Sequence, residues 1–253
     1  YYSLSTLMLA GIKDILIICN PRDLDSFRNL ILDGNQWGIS IEYRVQKKPE
    51  GIAQAFIIGD KFLMNSPCAL ILGDNFFHGN DLSKRLQRQT VPKNGATIFA
   101  YRVKDPQRYG VVEFNSKRKV LNIEEKPLSP KSNYAITGLY FYDSTVVDRA
   151  KMIKPSLRGE LEITDLNKLY MKDNLLWIED LGRGMTWLDT GTFDSLCEAT
   201  NYVQTIEKRQ GLKIGCPEEV AWRLGWISDE QILKLSFEFD KTEYGKYLKE
   251  LLI

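Results

Sequence analysis

Two aspartates follow short apolar runs, at positions where a strand would end and its last side chains would become accessible. Asp74 follows the run Cys68–Leu72 and a single glycine, and Asp189 follows the run Met185–Leu188. Magnesium usually takes one or two carboxylates together with water and substrate phosphates. Each aspartate could equally belong to a turn or cap a helix, and Thr192 could cap the helix after Asp189 as well. The pair indicates a hard-cation site more strongly than either member alone.

Two basic residues stand where they could hold a phosphate. Lys126 lies at the tip of a predicted strand that Pro127 ends, because the residue before a proline has restricted backbone freedom. Arg158 precedes Gly159 and a helix predicted to open at Glu160, so a guanidinium and helix amides could meet a phosphate together. Taken singly, each basic residue would more often be a surface ion-pair partner.

Two other motifs do not support the chemistry that they suggest. Asp23-Leu-Asp25 has the Asp-x-Asp spacing of metal-dependent glycosyltransferases, but it follows Asn20-Pro21 in the predicted first turn of a helix, where acidic residues suit the helix dipole. His78 is the only histidine, and a histidine without a nearby serine or cysteine nucleophile gives no catalytic triad. The sequence also contains no Gly-x-Gly-x-x-Gly pattern and no Walker loop.

The elements that would position these residues alternate between helix and strand from Leu4 to Leu72. Strands are predicted at Asp14–Cys19, Ile39–Val45 and Cys68–Leu72, with helices before and between them and the last of these helices at 51–63. Such alternation predicts a parallel sheet with helices on both faces, whose ligands lie beyond the carboxyl ends of the strands. Gln46 and Asp74 occupy those ends.

Strand runs dominate the next part of the chain, so we expect a mixed sheet with an inserted hairpin. These runs are Ala96–Val103, Val111–Phe114, Val120–Glu124 and Ala135–Tyr142. Helices return at 144–152 and 160–171, strands follow at 175–179 and 185–188, and a long helix begins at Phe193. We therefore expect a core over residues 1–192 and a helical region over 193–253, whose aromatic residues suit a core or a subunit interface.

Composition limits the classes of function that fit. The 253 residues and 43% hydrophobic content allow one large α/β domain or two small ones. The 34 Lys and Arg balance the 33 Asp and Glu, which gives no general attraction to nucleic acid or an anionic membrane. No apolar run is long enough to span a bilayer. Four cysteines without a Cys-x-x-Cys pair are expected to be buried hydrophobic side chains in a reducing, cytoplasmic compartment.

Eight segments, taken in order, resemble motifs of the sugar-1-phosphate nucleotidyltransferase family and of its thymidylyl-transferring branch in particular. They are Tyr1–Ile12, Gly51–Phe56, Gly73–Asn75, Arg108–Phe114, Glu124–Pro127, Tyr134–Tyr140, Arg158–Asp165 and Trp187–Thr192. The match reaches the C-terminal segment Tyr244–Tyr247. The resemblance implies a Rossmann-like α/β fold with a mixed, mainly parallel sheet flanked by helices, the nucleotide-diphospho-sugar transferase fold, and a helical C-terminal extension.

The resemblance implies that dTTP and glucose-1-phosphate react to give dTDP-glucose and pyrophosphate, in a magnesium-dependent in-line displacement. It assigns magnesium to Asp74 and Asp189, thymine to Gln46 and Gly51, the sugar pocket to Gly110, Glu125 and Ile136, and the sugar phosphate to Lys126 and Arg158 as catalytic residues. Because both reactants are anions, catalysis would consist of positioning and charge neutralisation. A sugar phosphate with a second pKa of about 6 is largely a dianion at neutral pH, so no general base is required.

The resemblance carries three further expectations. Members similar to this chain are homotetramers with a second nucleotide site near the C-terminal helices, which Arg183, Glu219 and Arg223 match loosely. The family pattern also places a strand and a glycine-rich, arginine-bearing phosphate loop before the position that matches Tyr1, so the chain is expected to be a fragment or a truncated relative. The alternatives are a catalytically incompetent nucleotide-sugar-binding relative and a uridylyl-type transferase. A glycosyltransferase is disfavoured, because no Asp-x-Asp motif follows a strand.

Overall fold

The computed structural model describes residues 1–90 and 94–253, which form ten strands and eleven helices together with two short 3₁₀ helices at Asn35–Trp37 and Pro106–Arg108. The strands are β1 Asp14–Cys19, β2 Ser40–Val45, β3 Cys68–Ile71, β4 Asn75–Gly79, β5 Ala96–Arg102, β6 Gly110–Phe114, β7 Val120–Glu125, β8 Tyr134–Tyr142, β9 Leu176–Asp180 and β10 Met185–Asp189. The helices are α1 Tyr2–Leu9, α2 Leu24–Ile31, α3 Gln54–Ile58, α4 Asp60–Leu63, α5 Leu82–Thr90, α6 Val146–Met152, α7 Ile163–Lys172, α8 Phe193–Gln210, α9 Pro217–Arg223, α10 Asp229–Glu238 and α11 Glu243–Glu250.

The main sheet is organised around β8, which is buried at every position after its first residue. Aromatic and apolar residues fill this strand, a composition that suits a strand covered on both faces. The strand order is β7-β6-β8-β5-β9, and β3 also pairs with β8. Two smaller sheets accompany it: β1 and β2 pair in parallel, and β4 and β10 pair antiparallel.

Two apolar clusters cover the faces of the main sheet, as expected for an α/β fold. On one face Ile136 and Tyr140 of β8 pack with buried residues of α3, α6 and α7. On the other face Leu139 and Phe141 pack with residues of β4, α5 and β10. Full burial of an apolar side chain of this size is worth about 1.5–3 kcal/mol, so these layers fix the position of β8.

The fold class predicted from the sequence is confirmed, with differences in detail. The predicted helix at 51–63 is two helices, α3 and α4, and the strand β4 was not predicted at all. Between the described residues only the pairs β1–β2 and β5–β9 are parallel. The parallel share of the sheet is smaller than predicted, because β3 pairs with β8, which runs in the opposite direction.

The C-terminal helices share a third core with the beginning of the chain. Ile232 of α10 and Leu248 of α11 are fully buried in a cluster that also contains Met8 of α1 and Ile15 of β1. Tyr247 is buried in the same cluster and Trp226 packs against it. These aromatic residues therefore contribute to core packing, as the sequence predicts.

An apolar cleft of about 1100 Å³ separates β1 from β3. Residues 15–18 of β1, all four residues of β3 and Leu72 line it, and no strand pairing between the described residues joins the two strands. As described, the facing edges of β1 and β3 are unpaired apolar edges.

All four cysteines are free thiols, and they differ in exposure. Cys19 and Cys216 are buried and Cys68 is half-buried, but Cys197 is exposed on α8, so the prediction of burial is wrong for Cys197. Burial raises the pKa of Cys68 and of Cys216 to about 12 in each case, which keeps both thiols protonated at neutral pH. In the described part of the chain, no helix has the length and apolar character needed to cross a membrane.

Candidate functional site

The pairing of β4 with β10 brings the two candidate metal aspartates together. Asn75 lies opposite Asp189 in the strand register, and the backbone N–H and side-chain hydroxyl of Thr190 donate to the Asp74 carbonyl at 2.9 and 2.8 Å. A Cβ atom placed on Gly191 would lie 3.0 Å from Asp189 Oδ1 and 3.6 Å from Asp74 Oδ2. One oxygen of each carboxylate therefore faces the same small space.

Neither aspartate caps a helix. Asp74 leads into β4, and the cap of α8 is Thr192, whose hydroxyl accepts a hydrogen bond from the backbone N–H of Ser195 at 3.2 Å. Asp189 makes one local turn contact, accepting from the Gly191 N–H at 3.0 Å. The alternative that either carboxylate serves as a helix cap is wrong, whereas the predicted capping role of Thr192 is confirmed.

The donor set fits a hard divalent cation that keeps part of its water shell. Carboxylate oxygens are preferred by magnesium, and two of them leave room for water and phosphate oxygens. In residues 1–90 and 94–253 no group of three or more His, Cys, Asp or Glu side chains could hold a metal ion. An ion at Asp74 and Asp189 would therefore take its further ligands from water and, when substrate is bound, from phosphate oxygens.

The three residues of the predicted sugar pocket meet around Gly110. Gly110 is paired with Glu125 in the β6–β7 register. A Cβ on Gly110 would lie 3.4 Å from Glu125 Oε2 and 3.7 Å from Ile136 Cδ1, so the absence of a side chain keeps this space open. Thr164 also belongs here, since its hydroxyl donates to Glu125 Oε2. Thr164 lies inside the Arg158–Asp165 motif, but no sequence pattern assigns it a role.

Lys126 has an unusual backbone conformation. Its φ is +42°, in the left-handed region that residues with a side chain rarely adopt. The backbone N–H of Lys126 donates to the Tyr109 carbonyl at 3.1 Å, which helps to hold this turn. Conformations of this kind are retained where the surrounding structure enforces them, often at binding sites.

Arg158 is held by acidic neighbours. Its guanidinium contacts Glu162 through Nε–Oε1 at 3.1 Å and Nη2–Oε2 at 2.9 Å, and Glu160 at 3.3 Å. Burial opposes the charge on Glu162, but hydrogen bonds from Arg158 and Ser156, with the nearby charge of Lys126, hold its pKa below the ordinary value. The ion-pair interpretation is therefore observed. The Arg158 side chain nevertheless keeps 45% of its surface exposed, so it can still reach a ligand.

The two residues predicted to meet the base are neighbours. Gln46 donates through Nε2 to Gln54 Oε1 at 2.6 Å and to the Gly51 carbonyl at 3.3 Å. Gly51 has φ of +101°, and a Cβ there would lie 2.4 Å from the Leu161 carbonyl oxygen. Leu161 in turn donates its backbone N–H to the Glu50 carbonyl at 2.7 Å. The segment that carries Arg158 is thereby fastened to the loop that carries Gln46 and Gly51.

Strand β8 connects the sugar pocket with the aspartate pair. Ile136 faces Gly110, while Gly138, two residues further along β8, donates its N–H to Asn75 Oδ1 at 2.9 Å. The apolar cleft between β1 and β3 is lined by Gln46 and Gly51 and by Gly73, the residue before Asp74. Strand β8 thus links the sugar pocket to the aspartate pair, and the Leu161 backbone links the loop of Gln46 and Gly51 to the Arg158 segment.

Of the three residues proposed for a second nucleotide site, two contact each other in the described part of the chain. Glu219 and Arg223 form an ion pair on α9 with a distance of 2.7 Å, and Tyr247 donates to Glu219. Arg183 lies in the turn between β9 and β10, and within the described ranges no hydrogen bond or ion pair links it to α9. This second site stays a prediction.

The Asp-x-Asp segment begins a helix, as predicted, and His78 lies on a strand that was not predicted. Asp23 and Asp25 stand at the start of α2. His78 lies on β4, with Nδ1 2.8 Å from the Tyr202 hydroxyl, and burial lowers its pKa. His78 therefore contacts a tyrosine. Neither Asp23-Leu-Asp25 nor His78 forms the site that its sequence pattern suggests.

Comparison with known proteins gives similarities over most or all of this chain. The nucleotidyl transferase family matches residues 1–206. A glucose-1-phosphate thymidylyltransferase of Neisseria meningitidis serogroup A is 54% identical over 252 residues, covering 100% of this chain and 88% of the relative. A glucose-1-phosphate thymidylyltransferase of Mycolicibacterium smegmatis is 52% identical over 252 residues, covering 100% of this chain and 87% of the relative.

Solved structures also resemble this chain, at lower sequence identity. A Bacillus anthracis protein described as a glucose-1-phosphate thymidylyltransferase, in complex with a sucrose, superposes with a TM-score of 0.73 at 40% identity, covering 80% of each chain. A UDP-glucose pyrophosphorylase complexed with UDP-glucose gives a TM-score of 0.65, covering 81% of this chain and 85% of the other. At 21% identity the second similarity supports the fold alone.

Proposed function

The chain belongs to the nucleotidyl transferase family, and from this premise we propose that it transfers a thymidylyl group from dTTP to glucose-1-phosphate, giving dTDP-glucose and pyrophosphate. One observation carries the proposal. This chain is 54% identical, over 99–100% of its length, to relatives that bear this activity in their names. The geometry around Asp74, Gly110 and Lys126 is compatible with this reaction.

The reaction that we propose needs no proton transfer from the protein. An oxygen of the glucose-1-phosphate dianion attacks the α-phosphorus of dTTP, and pyrophosphate leaves on the opposite side. Asp74 and Asp189 would hold a magnesium ion, which would neutralise charge at the reacting phosphates. Lys126 and Arg158 would hold the phosphate of the sugar, so that its oxygen is aligned with the phosphorus. The protein then acts by positioning and by charge.

Selection of the sugar and the base would use neutral and acidic hydrogen-bonding groups. The Glu125 carboxylate, with one oxygen held by Thr164, can accept from sugar hydroxyls in the space beside Gly110 and Ile136. The Gln46 amide beside Gly51 can offer its Oε1 as an acceptor to the N–H of thymine, since its Nε2 is engaged by Gln54 and Gly51. A divalent metal fits the family, and magnesium is the ion that we propose for this chain. A homotetramer in the cytoplasm, with residues 193–253 at its interface, completes the proposal.

The test is pyrophosphate release by the purified chain with glucose-1-phosphate, magnesium and each nucleoside triphosphate in turn. Fastest turnover with dTTP, with dTDP-glucose identified by mass spectrometry, supports the proposal. Preference for UTP would replace it with a uridylyl-type transferase. Binding of dTDP-glucose in calorimetry without turnover of any triphosphate would show a catalytically incompetent relative.

A further inference from the structure

Asn75 connects three strands through its side-chain amide. The residue is 4% exposed and its Oδ1 accepts from the backbone N–H of Gly138 on β8 at 2.9 Å and from the Trp187 indole N–H on β10 at 2.6 Å. Its Nδ2 donates to Asp74 Oδ1 at 2.8 Å. A buried amide with both ends engaged has its orientation fixed by its partners.

The two donors on Oδ1 decide which end of the amide faces Asp74. If the amide were reversed, Nδ2 would face two N–H donors, and buried polar groups would be left without partners at a cost of about 1–3 kcal/mol each. Gly138 makes this arrangement possible, since a Cβ on it would lie 2.6 Å from Asn75 Oδ1. The N–H end of Asn75 is therefore directed at the aspartate.

The contact also sets which aspartate oxygen is presented to a ligand. With Oδ1 of Asp74 engaged by Asn75, Oδ2 is the oxygen that faces Gly191, where Asp189 Oδ1 also points. The Asp74 main chain is fixed independently by the two hydrogen bonds from Thr190 to its carbonyl. Backbone and side chain of Asp74 are thus held by different partners.

We propose that Asn75 is a positioning residue for the metal site, which holds the Asp74 carboxylate so that Oδ2 shares a cation with Asp189. The inference rests on the proposed function, because it assumes that a divalent cation binds between the two aspartates. Hydrogen-bonding partners of metal ligands tune a site strongly, and their loss typically reduces metal affinity or activity by roughly 10–100-fold.

The experiment is a titration of the full chain with Mn²⁺, followed by electron paramagnetic resonance, for the wild type and for Asn75→Ala. The matched control is Asn167→Ala, since Asn167 is also fully buried and its Oδ1 accepts from the Tyr142 hydroxyl at 2.7 Å, within the main core. We expect Asn75→Ala to bind Mn²⁺ roughly 10–100-fold more weakly and Asn167→Ala to bind it as the wild type does. In turnover assays the magnesium concentration for half-maximal rate should rise in parallel for Asn75→Ala alone.

Equal Mn²⁺ affinity of Asn75→Ala and Asn167→Ala would overturn the inference. If Asn75→Ala does not fold, Trp187→Phe provides a second variant, because it removes one of the two donors that orient the Asn75 amide. A few-fold loss of Mn²⁺ affinity is expected for Trp187→Phe, and an unchanged affinity would again overturn the inference.

Asp74→Asn and Asp189→Asn distinguish a failure of the metal site from a failure of the positioning role of Asn75. If these variants bind Mn²⁺ as the wild type does, the metal site and the positioning role fail together. If they lose binding and Asn75→Ala does not, only the positioning role fails.

Discussion

At the scale of single residues, Asp74 and Asp189 come from different strands and direct one oxygen each to a common space. We expect Asp74→Asn and Asp189→Asn each to abolish magnesium-dependent turnover, because a neutral amide is a poor ligand for a hard cation. Pyrophosphate release at several magnesium concentrations measures the loss, and circular dichroism checks that the fold is kept.

The control for these variants is Asp173→Asn. Asp173 is ion-paired with Arg149 at 2.6 Å and lies beyond the end of α7, away from the aspartate pair. Its loss should leave the magnesium dependence unchanged. Turnover of the Asp74 and Asp189 variants at the wild-type rate would contradict the metal assignment.

Lys126 and Arg158 are expected to act on the sugar phosphate. Lys126→Ala and Arg158→Ala should weaken glucose-1-phosphate binding by about tenfold or more, since hydrogen bonds to charged groups are worth about 1.5–3 kcal/mol. The effect on dTTP binding should be much smaller. Removal of Arg158 also leaves the buried Glu162 carboxylate without its guanidinium partner, so Arg158→Ala should lose somewhat more glucose-1-phosphate affinity than Lys126→Ala.

Calorimetric titration of each variant with each substrate provides the measurement. Lys151→Ala is the control, because Lys151 pairs with Asp60 at 2.8 Å on another part of the surface. Equal losses of affinity for glucose-1-phosphate and for dTTP would contradict the assignment of both basic residues to the sugar phosphate.

At the scale of elements, the loop before α3 depends on a glycine. Gly51→Ala should lower both dTTP affinity and the melting temperature, because the left-handed φ disfavours a side chain and the added Cβ would overlap the backbone of Leu161. The loop would have to separate from the segment that carries Arg158.

Gly182→Ala is a matched control for the Gly51 substitution. Gly182 also has a positive φ, +67°, but its Cβ would meet nothing within 4 Å. Gly182→Ala should lower the free energy of unfolding only by the conformational penalty of about 1–2 kcal/mol, and it should leave dTTP binding intact. Differential scanning fluorimetry and dTTP titration compare the two variants; similar behaviour of both would show that the contact with Leu161 is unimportant.

At the scale of the whole molecule, the strands differ in whether both of their edges are hydrogen-bonded to a neighbouring strand. Strand β8 is paired on both sides, whereas β1 and β3 each face the apolar cleft with an edge that has no strand partner in the described residues. We therefore expect amide hydrogens of residues 14–19 and 68–71 to exchange with deuterium faster than those of residues 134–142.

Hydrogen–deuterium exchange with mass spectrometry tests this for the chain of residues 1–253. Peptides from β5, which lies between β8 and β9, provide an internal reference for a fully paired strand. Equal protection of 14–19 and 134–142 would show that another segment covers the cleft in solution.

The sequence by itself determined the elements and the candidate side chains. Apolar runs bounded by glycine, proline and acidic residues predicted β1, β8 and α8 closely, because local patterning follows which face of an element is buried. The same logic placed Asp74 and Asp189 at strand ends. It missed β4, although two consecutive phenylalanines, Phe76 and Phe77, carried a strand signal.

The tertiary structure alone decided how those parts meet. The amide of Asn75 is joined to Gly138, 63 residues away, and to Trp187, 112 residues away, and no local pattern encodes partners at such separations. Strand pairing likewise set Asp74 beside Asp189, and packing against α7 brought Thr164 to Glu125. Residue type fixes what a side chain can donate, accept or ligate. Which group it meets depends on strand register and on burial across the whole chain, and these are settled only when distant segments pack together.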